Sequence, residues 1–247
     1  MRLGALEAGG TKMVCAIGNE NGEIFERISI PTETPEITLP KLIEYFKDKE
    51  IEALGIGCFG PIDVNRNSET YGYITTTPKL AWANCDIVGA FKKALNIPVG
   101  FDTDVNGSAL GEATWGITKG LENSVYITIG TGVGMGIMSN GKLLHGMLHP
   151  EAGHILMRKH PEDHYEGKCP YHKTCLEGLA AGPAIEARWG KKGIELAAGS
   201  LLYRTGSGRS DSGTVSGKNY SWWRCYASGT YDAVSQRRSK KTDGRLY

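Results

Sequence analysis

The sequence has 247 residues, 40% of them hydrophobic and 22% charged, which is enough for one large or two small globular domains. Its net charge is +1 and no apolar run approaches the length of a membrane span, so the composition argues against a membrane protein. The N-terminus lacks a signal-peptide pattern, and we therefore expect a cytoplasmic protein whose six cysteines are reduced.

The first elements predicted along the chain are three strands and a helix. Residues 1–30 predict the strands, which are joined by a glycine turn and by the hairpin signal Asn21-Gly22. The segment TLPKLIEYFKDKE then predicts an amphipathic helix. The apolar face of this helix consists of Leu39, Leu42, Ile43 and Phe46.

Two strand–helix pairs and a second glycine hairpin follow. EALGIGCFGPID predicts a buried strand leading into a glycine loop, and Cys85 to Leu95 predicts a helix. IPVGFDTDVN predicts a strand, and SALGEATWG predicts a helix that begins near Ser108. After Gly120 the chain predicts another strand, glycine turn and strand, with Asn140-Gly141 as a hairpin signal. This order predicts an α/β protein of two related halves with a cleft between them.

Two glycine–threonine loops are candidates for phosphate binding. EAGGTK runs from Glu7 to Lys12, and TIGTGVGMG runs from Thr128 to Gly136. Glycines let backbone amides approach an anion closely, and Thr11 and Lys12 add donors. A tight hairpin and a bulged strand are the structural alternatives, and neither loop has the pattern of a Walker A or dinucleotide motif. Facing each other across a cleft, the loops would hold the phosphates of one nucleotide.

Carboxylates stand at a predicted strand end in the segment FDTDVN. Asp102 and Asp104 lie there, directly before a predicted helix. A carboxylate in that place can accept the proton of a sugar hydroxyl as the hydroxyl attacks a phosphoryl group. The alternative is structural, with Asp104 or Asn106 capping the helix near Ser108, and spacing alone leaves both open.

A histidine–cysteine segment predicts a metal site. Cys169, His172 and Cys175 are spaced C-x2-H-x2-C, and His154 lies upstream of them. Two thiolates and two imidazoles suit a tetrahedral structural zinc. The alternative fourth ligands are His149, His160 and His164. Reduced cysteines in a polar loop are the metal-free alternative.

Two glutamates lie next to this segment. A zinc ion would hold the HPEAGH stretch rigidly, so that Glu151 faces a substrate. Glu177 is either a substrate ligand or a solvated helix residue. Its own stretch, CLEGLAAGPAIEARWG, predicts a helix, a break at Gly182-Pro183 and a second helix.

Taken in order, eight segments resemble the ROK family of sugar kinases and repressors, and among its members most of all the bacterial zinc-containing fructokinases. The segments are EAGGTK, GCFGPID, TTTPKLAW, TDVNGSALGE, TIGTGVG, HPEAGH, CPYHKTC and LEGLAAGPAIEARWG. The resemblance covers residues 1 to about 197. It implies an α/β, actin-like ATPase (ribonuclease H-like) fold of two domains, residues 1–118 and 119–197, the second of them incomplete.

The resemblance also implies roles for residues. It makes Asp104 the catalytic base and places Pro183 beside the nucleotide. The implied ATP-phosphate loops are Gly9, Gly10, Thr11 and Lys12, and Gly130, Thr131 and Gly132. The implied sugar-side residues are Asn106, Glu151, His154 and Glu177. The implied zinc ligands are His154, Cys169, His172 and Cys175.

The implied activity is ATP-dependent phosphorylation of D-fructose, with Mg²⁺ accompanying ATP and Zn²⁺ acting structurally. Another hexose (mannose, glucose or N-acetylmannosamine) is one alternative, and an inactive sugar- or nucleotide-binding remnant is the other. Family repressors carry a DNA-binding segment before the first strand, where this sequence begins, so we expect no nucleic-acid partner. A homodimer without a membrane partner is the family expectation.

Residues 198–247 depart from the family pattern, which continues with a helix, a strand and a glycine-rich adenosine loop. Read one nucleotide later, the codons from Trp222 to Arg224 give two forced glycines, and permitted codons turn NYSWWRCYAS into IILGGGVMHQ. We therefore expect a frameshifted translation, with a disordered basic tail or a novel C-terminus as alternatives. A chain with such a tail would be poorly stable and weakly active or inactive.

Overall fold

The computed structural model describes residues 1–146 and 149–193. The predicted aberrant segment 198–247 lies outside the described residues. The strands are β1 (Leu3–Ala8), β2 (Lys12–Gly18), β3 (Ile24–Pro31), β4 (Ala53–Cys58), β5 (Tyr73–Ile74), β6 (Cys85–Asp86), β7 (Val99–Thr103), β8 (Ser124–Ile129), β9 (Val133–Ser139) and β10 (Lys142–Leu143). The helices are α1 (Pro35–Lys47), α2 (Ile87–Leu95), α3 (Asp104–Thr114), α4 (Leu176–Ala180) and α5 (Gly182–Trp189).

The described chain forms two compact units. The first contains Met1–Ile127 and Gly134–Ala152, and the second contains Thr128–Val133 and the chain from Gly153 onward. The chain passes into the second unit within β8 and returns within β9. The predicted domain boundary after residue 118 stays a prediction.

The first unit is built on a five-stranded mixed sheet in the order β3-β2-β1-β4-β7. The three N-terminal strands form the predicted antiparallel meander, and β1, β4 and β7 run parallel. In the predicted amphipathic helix α1, Leu42 and Phe46 are fully buried. Leu39 and Ile43 are partly buried against the same core, so the predicted apolar face is confirmed.

The predicted helix from Cys85 to Leu95 begins two residues later than expected. Cys85 and Asp86 instead pair with Tyr73–Ile74 as a short antiparallel ribbon. The Asp86 carboxylate then accepts a hydrogen bond from the Gly89 N–H at 2.7 Å and caps α2. An aspartate that satisfies a free N–H of the first turn fixes where a helix starts, so the boundary prediction was wrong for a local reason.

A three-stranded sheet, ordered β10-β9-β8, carries the second glycine hairpin. Asn140 and Gly141 both have positive φ, at 51° and 72°, as the tight turn between β9 and β10 requires. The hairpin predicted from Asn140-Gly141 is therefore confirmed. No helix among residues 1–146 and 149–193 is long and apolar enough to cross a membrane.

In the second unit, two short helices follow each other closely. Ala181 lies between α4 and α5 with an extended ψ of 156°, and Gly182 and Pro183 form the first turn of α5. The predicted break is therefore present one residue earlier than expected, because proline is well tolerated in the first turn of a helix.

Candidate functional site

Three parallel strands of the first unit end at one edge of its sheet. Ala8 of β1 is in register with Cys58 of β4, and Cys58 is in register with Thr103 of β7. Neighbouring strands lie about 4.8 Å apart, so the residues that follow these three leave the sheet within roughly 10 Å of one another. This carboxyl edge brings together the first glycine loop and Asp104, and such edges are where open α/β sheets bind ligands.

The first glycine loop is held at both sides by backbone contacts. The Thr32 hydroxyl donates to the Gly9 carbonyl at 2.7 Å, and the Thr32 N–H donates to the Thr11 carbonyl at 3.0 Å. A Cβ atom on Gly9 would lie only 2.5 Å from the Lys12 carbonyl oxygen, so the turn requires glycine. Thr11 and Lys12 are exposed and available to an anion.

Asp104 is the first residue of α3, which begins here and not near Ser108 as predicted. The cap is Thr103, whose hydroxyl oxygen accepts from the Asn106 N–H at 3.2 Å. The structural alternative, in which Asp104 or Asn106 caps a helix beginning near Ser108, is therefore wrong. A threonine just before the helix was the signal for this cap, and it was overlooked.

The environment of the Asp104 carboxyl group raises its pKa from an ordinary value of 3.8 to about 6. Burial is the main cause, and the charges of Glu7 and Glu151 add to it. The Val105 N–H, which donates to Asp104 Oδ1 at 2.8 Å, acts in the opposite direction. A partly desolvated carboxylate with such a pKa suits a general base near neutral pH.

Glu151 lies on the same unit as Asp104. Its Oε1 is 3.9 Å from the position that a Cβ atom on Gly60 would take, just beyond the end of β4. Its charge contributes to the raised pKa of Asp104. The structure thus brings together Asp104, Glu151 and the loop from Gly9 to Lys12, which the sequence had separated widely.

Asn106 is fully buried and belongs to a polar cluster that the sequence did not predict. Its Nδ2 donates to Asp102 Oδ1 at 2.8 Å, and the other Asp102 oxygen lies 2.7 Å from His145 Nε2. Asn106 Oδ1 has no hydrogen-bond partner within the described part of the chain. No motif surrounds His145, so periodicity and spacing gave no signal for this contact.

A cavity of about 490 Å³ opens beside this cluster. Its lining residues are Val64, Asn65, Arg66, Phe101, Asp102, His145 and Gly146.

The second unit brings four predicted metal ligands together. One ligand atom each from His154, Cys169, His172 and Cys175 lies within 4.8 Å of the other three. The alternative ligands His149, His160 and His164 are not part of this group, which is defined over the described residues. His160 and His164 are exposed.

The spacing of these atoms fits zinc. Cys169 Sγ lies 3.8 Å from both His154 Nδ1 and His172 Nδ1, and Cys175 Sγ lies 3.6 Å from His154 Nδ1. Ideal zinc–sulfur and zinc–nitrogen bonds at tetrahedral angles place such atoms about 3.6 Å apart. Backbone N–H groups of His172 and Gly178 donate to the two sulfur atoms.

The second glycine loop belongs to the same unit and is braced by two later residues. The Gly182 N–H donates to the Gly130 carbonyl at 2.7 Å. Glu177 Oε2 accepts from the Val133 N–H at 3.0 Å, directly after Gly132. A Cβ atom on Gly132 would lie 2.6 Å from this carboxylate oxygen. Glu177 is therefore neither free nor simply solvated, and Pro183 follows a residue that contacts the loop.

Comparison with known proteins places these features in one family. The model of the ROK family matches residues 3–218. A fructokinase of Pediococcus pentosaceus is 52% identical over 196 residues, which are 79% of this chain and 68% of that protein. A fructokinase of Streptococcus mutans is 51% identical over 195 residues, 77% of this chain and 66% of that protein. The chain thus spans about two thirds of the length of the curated relatives it matches.

Solved structures show the same likeness. A ROK hexokinase from Thermus thermophilus has 27% identity and a TM-score of 0.62, over 84% of this chain and 70% of that one. A ROK glucokinase from Streptomyces griseus, solved with glucose and AMPPNP, has 24% identity and a TM-score of 0.62, over 83% of this chain and 64% of that one. The predicted α/β, actin-like ATPase fold is confirmed.

Proposed function

We propose, from the premise that the chain belongs to the ROK family, that it transfers the γ-phosphoryl group of ATP to a hexose. D-fructose is the preferred hexose, and fructose 6-phosphate is the product. The fructokinase relatives at 48–52% identity support this choice of sugar. The observation that carries the reaction is Asp104, a half-buried carboxylate of raised pKa at the edge that also holds the first glycine loop.

Asp104 acts as the general base. The sugar hydroxyl oxygen attacks the γ-phosphorus while Asp104 accepts the hydroxyl proton. A new oxygen–phosphorus bond forms, the bond from the γ-phosphorus to the bridging oxygen breaks, and ADP leaves with that oxygen. Thr103 and the Val105 N–H fix the carboxylate at the start of α3, which keeps it oriented before the sugar arrives.

The glycine loops bind phosphate oxygens. Gly9, Gly10, Thr11 and Lys12 form the first loop, and Gly130, Thr131 and Gly132 form the second. Backbone N–H groups and the Lys12 ammonium offset the negative charge that develops on the transferred group. Mg²⁺ accompanying ATP would neutralise part of the charge on the phosphate groups. Asn106, Glu151, His154 and Glu177 are proposed as sugar-side residues, and Pro183 as a neighbour of the nucleotide.

Zn²⁺ is proposed as the structural ion of the second unit. His154, Cys169, His172 and Cys175 would hold it, and four protein ligands fill a tetrahedral site. Cys175, which lies two residues before Glu177, also caps α4, because its sulfur accepts a hydrogen bond from the Gly178 N–H. The metal site would therefore fix the helix whose Glu177 braces the second loop.

Two alternatives deserve a test. Glucokinase relatives, such as one from Halalkalibacterium halodurans at 32% identity, support a kinase for glucose. Mannose and N-acetylmannosamine are further alternatives to test. The frameshift proposed for residues 198–247 supports an inactive sugar- or nucleotide-binding remnant. Sequencing the gene across codons 190–200 tests the frameshift, and an unbroken frame in independent clones refutes it.

The chain is further proposed to act in the cytoplasm, as a homodimer without nucleic-acid or membrane partners.

The deciding experiment is sugar-dependent ADP release. Fructose, mannose, glucose and N-acetylmannosamine are offered in parallel to the chain as given and to a version with the reading frame restored. We expect the restored version to turn over fructose fastest. If another sugar is turned over fastest, that sugar is the preferred substrate in place of fructose. If neither version turns over any sugar, the chain is an inactive sugar- or nucleotide-binding remnant.

A further inference from the structure

We propose that Lys79 contacts the transferred phosphoryl group and is a further catalytic residue of this site. The inference rests on the proposed kinase function. Lys79 lies in the segment TTTPKLAW, between β5 and β6.

The Lys79 side chain passes directly over the first glycine loop. A Cβ atom on Gly10 would lie 3.0 Å from Lys79 Cε and 3.8 Å from Lys79 Cδ. The ammonium group is one bond beyond Cε, which keeps it close to Gly10. Gly10 thus leaves the room through which the lysine stem reaches this part of the loop.

The backbone around Lys79 is anchored to the same carboxyl edge. The Lys79 N–H donates to the Thr77 hydroxyl oxygen at 3.3 Å. Three residues later, Trp82 is only 1% exposed. Its ring packs edge-to-face against the ring of Phe59, with 6.1 Å between the ring centroids. Phe59 follows β4, and its N–H donates to the Ala8 carbonyl at 2.8 Å.

A second bond fixes Trp82 from another side. Its indole N–H donates to the Glu33 carbonyl at 2.7 Å, just after the Thr32 that holds Gly9 and Thr11. The same short stretch therefore supports both the glycine loop and the segment that carries Lys79. A lysine on a backbone held this firmly is positioned in advance, which reduces the entropy lost when it binds.

The negative charge at this edge would repel an incoming phosphoryl group unless a cation is also present. Glu7 and Glu151 are close enough to Asp104 to raise its pKa, so several carboxylates share the edge. A phosphoryl group arriving there adds further negative charge, and an ammonium group offsets the repulsion. Within residues 1–146 and 149–193 the Lys79 ammonium forms no salt bridge or hydrogen bond, and the residue is exposed.

Kinetics of three variants test the inference on the frame-restored protein. Lys79→Met is expected to lower kcat about 100-fold, the usual effect of removing one donor to transition-state charge, while KM for fructose stays within about threefold. Lys79→Arg keeps the charge and is expected to recover at least part of kcat. Lys93→Met, which removes an exposed lysine from α2, is the matched control. Equal kcat values for Lys79→Met and Lys93→Met would overturn the inference.

Amine labelling gives a measurement that needs no turnover. The protein is acetylated briefly with an amine-reactive ester, and the modification of Lys79 and Lys93 is compared by mass spectrometry. We expect ATP with Mg²⁺ to reduce labelling of Lys79 several-fold, adenosine to leave it unchanged, and Lys93 to respond to neither. Unprotected Lys79 together with ATP-protected Lys12 would reject Lys79 and retain the proposed function. Absence of turnover and of protection at any lysine would reject both.

Discussion

Asp104 illustrates how one residue exchanges stability for reactivity. Its carboxyl pKa is about 6, above the ordinary 3.8, so between these pH values the folded chain binds more protons than the unfolded chain. The free energy of unfolding therefore decreases as the pH rises through that window. Above it, the charge of this half-buried carboxylate remains as a constant cost, which the proposed base function requires.

Replacing Asp104 by Asn tests both sides of that exchange. We expect kcat to fall by about 10²–10⁴-fold, because the base is lost. We also expect the melting temperature at pH 8 to rise, because a half-buried charge is removed, and this gain to shrink at pH 4. Differential scanning calorimetry at the two pH values measures the effect, and a lower melting temperature at pH 8 would contradict it.

The pH dependence of the reaction with Asp104 unaltered follows from the same pKa. Since the ionised carboxylate accepts the proton, kcat/KM for the sugar should fall about tenfold per pH unit below pH 6 and level off above it. The measurement is the pH profile of ADP release with saturating ATP. A flat profile between pH 5 and pH 7 would show that Asp104 is not the group whose ionisation limits the reaction.

Cys175 is the residue at which the predicted metal site is best tested. It is fully buried, and its sulfur lies 3.6 Å from His154 Nδ1. Cys175→Ser should lower the zinc content, measured by atomic emission, from about one ion per chain to well below that. Cys85→Ser, at a partly buried cysteine outside the metal cluster, should leave the zinc content unchanged. Equal zinc in both variants would reject the site.

Helix caps show how the start of a helix fixes the position of a side chain. Thr103 caps α3, which begins with Asp104, and Asp86 caps α2, which carries no proposed catalytic group. Thr103→Ala and Asp86→Ala should each reduce the free energy of unfolding by about 1 kcal/mol, measured by urea denaturation. Only Thr103→Ala should also lower kcat, because it frees the turn that holds the base. A similar loss of kcat in both variants would indicate a general destabilisation.

The elements also show what the sequence could predict. The N-terminal meander and the Asn140-Gly141 hairpin were predictable because their signals are local. The starts of α2 and α3 were not, since Asp86 and Thr103 had to be chosen among several residues able to cap. The contact of Asp102 with His145 joins residues 43 positions apart and follows only from the fold.

For the whole molecule, the frameshift proposed for residues 198–247 predicts that part of the family fold is missing from the chain as given. We expect the frame-restored protein to turn over fructose at least tenfold faster than the chain as given, because it regains the helix, strand and adenosine loop expected of the family. Parallel expression and ADP-release assays measure the ratio. Equal activity of the two forms would show that the sequence after residue 198 is not needed for the reaction.

The carboxyl edge has a consequence for how the protein is synthesised. It requires residues 3–8 to pair with 53–58 and these with 99–103, so it depends on contacts far apart along the chain. Such contacts form slowly, and on the ribosome this edge can assemble only after Thr103 has emerged. The cluster of His154, Cys169, His172 and Cys175 emerges later but lies within one short stretch, so these residues can meet as soon as Cys175 has emerged. A newly made chain should therefore form its carboxyl edge and its histidine–cysteine cluster in separate steps.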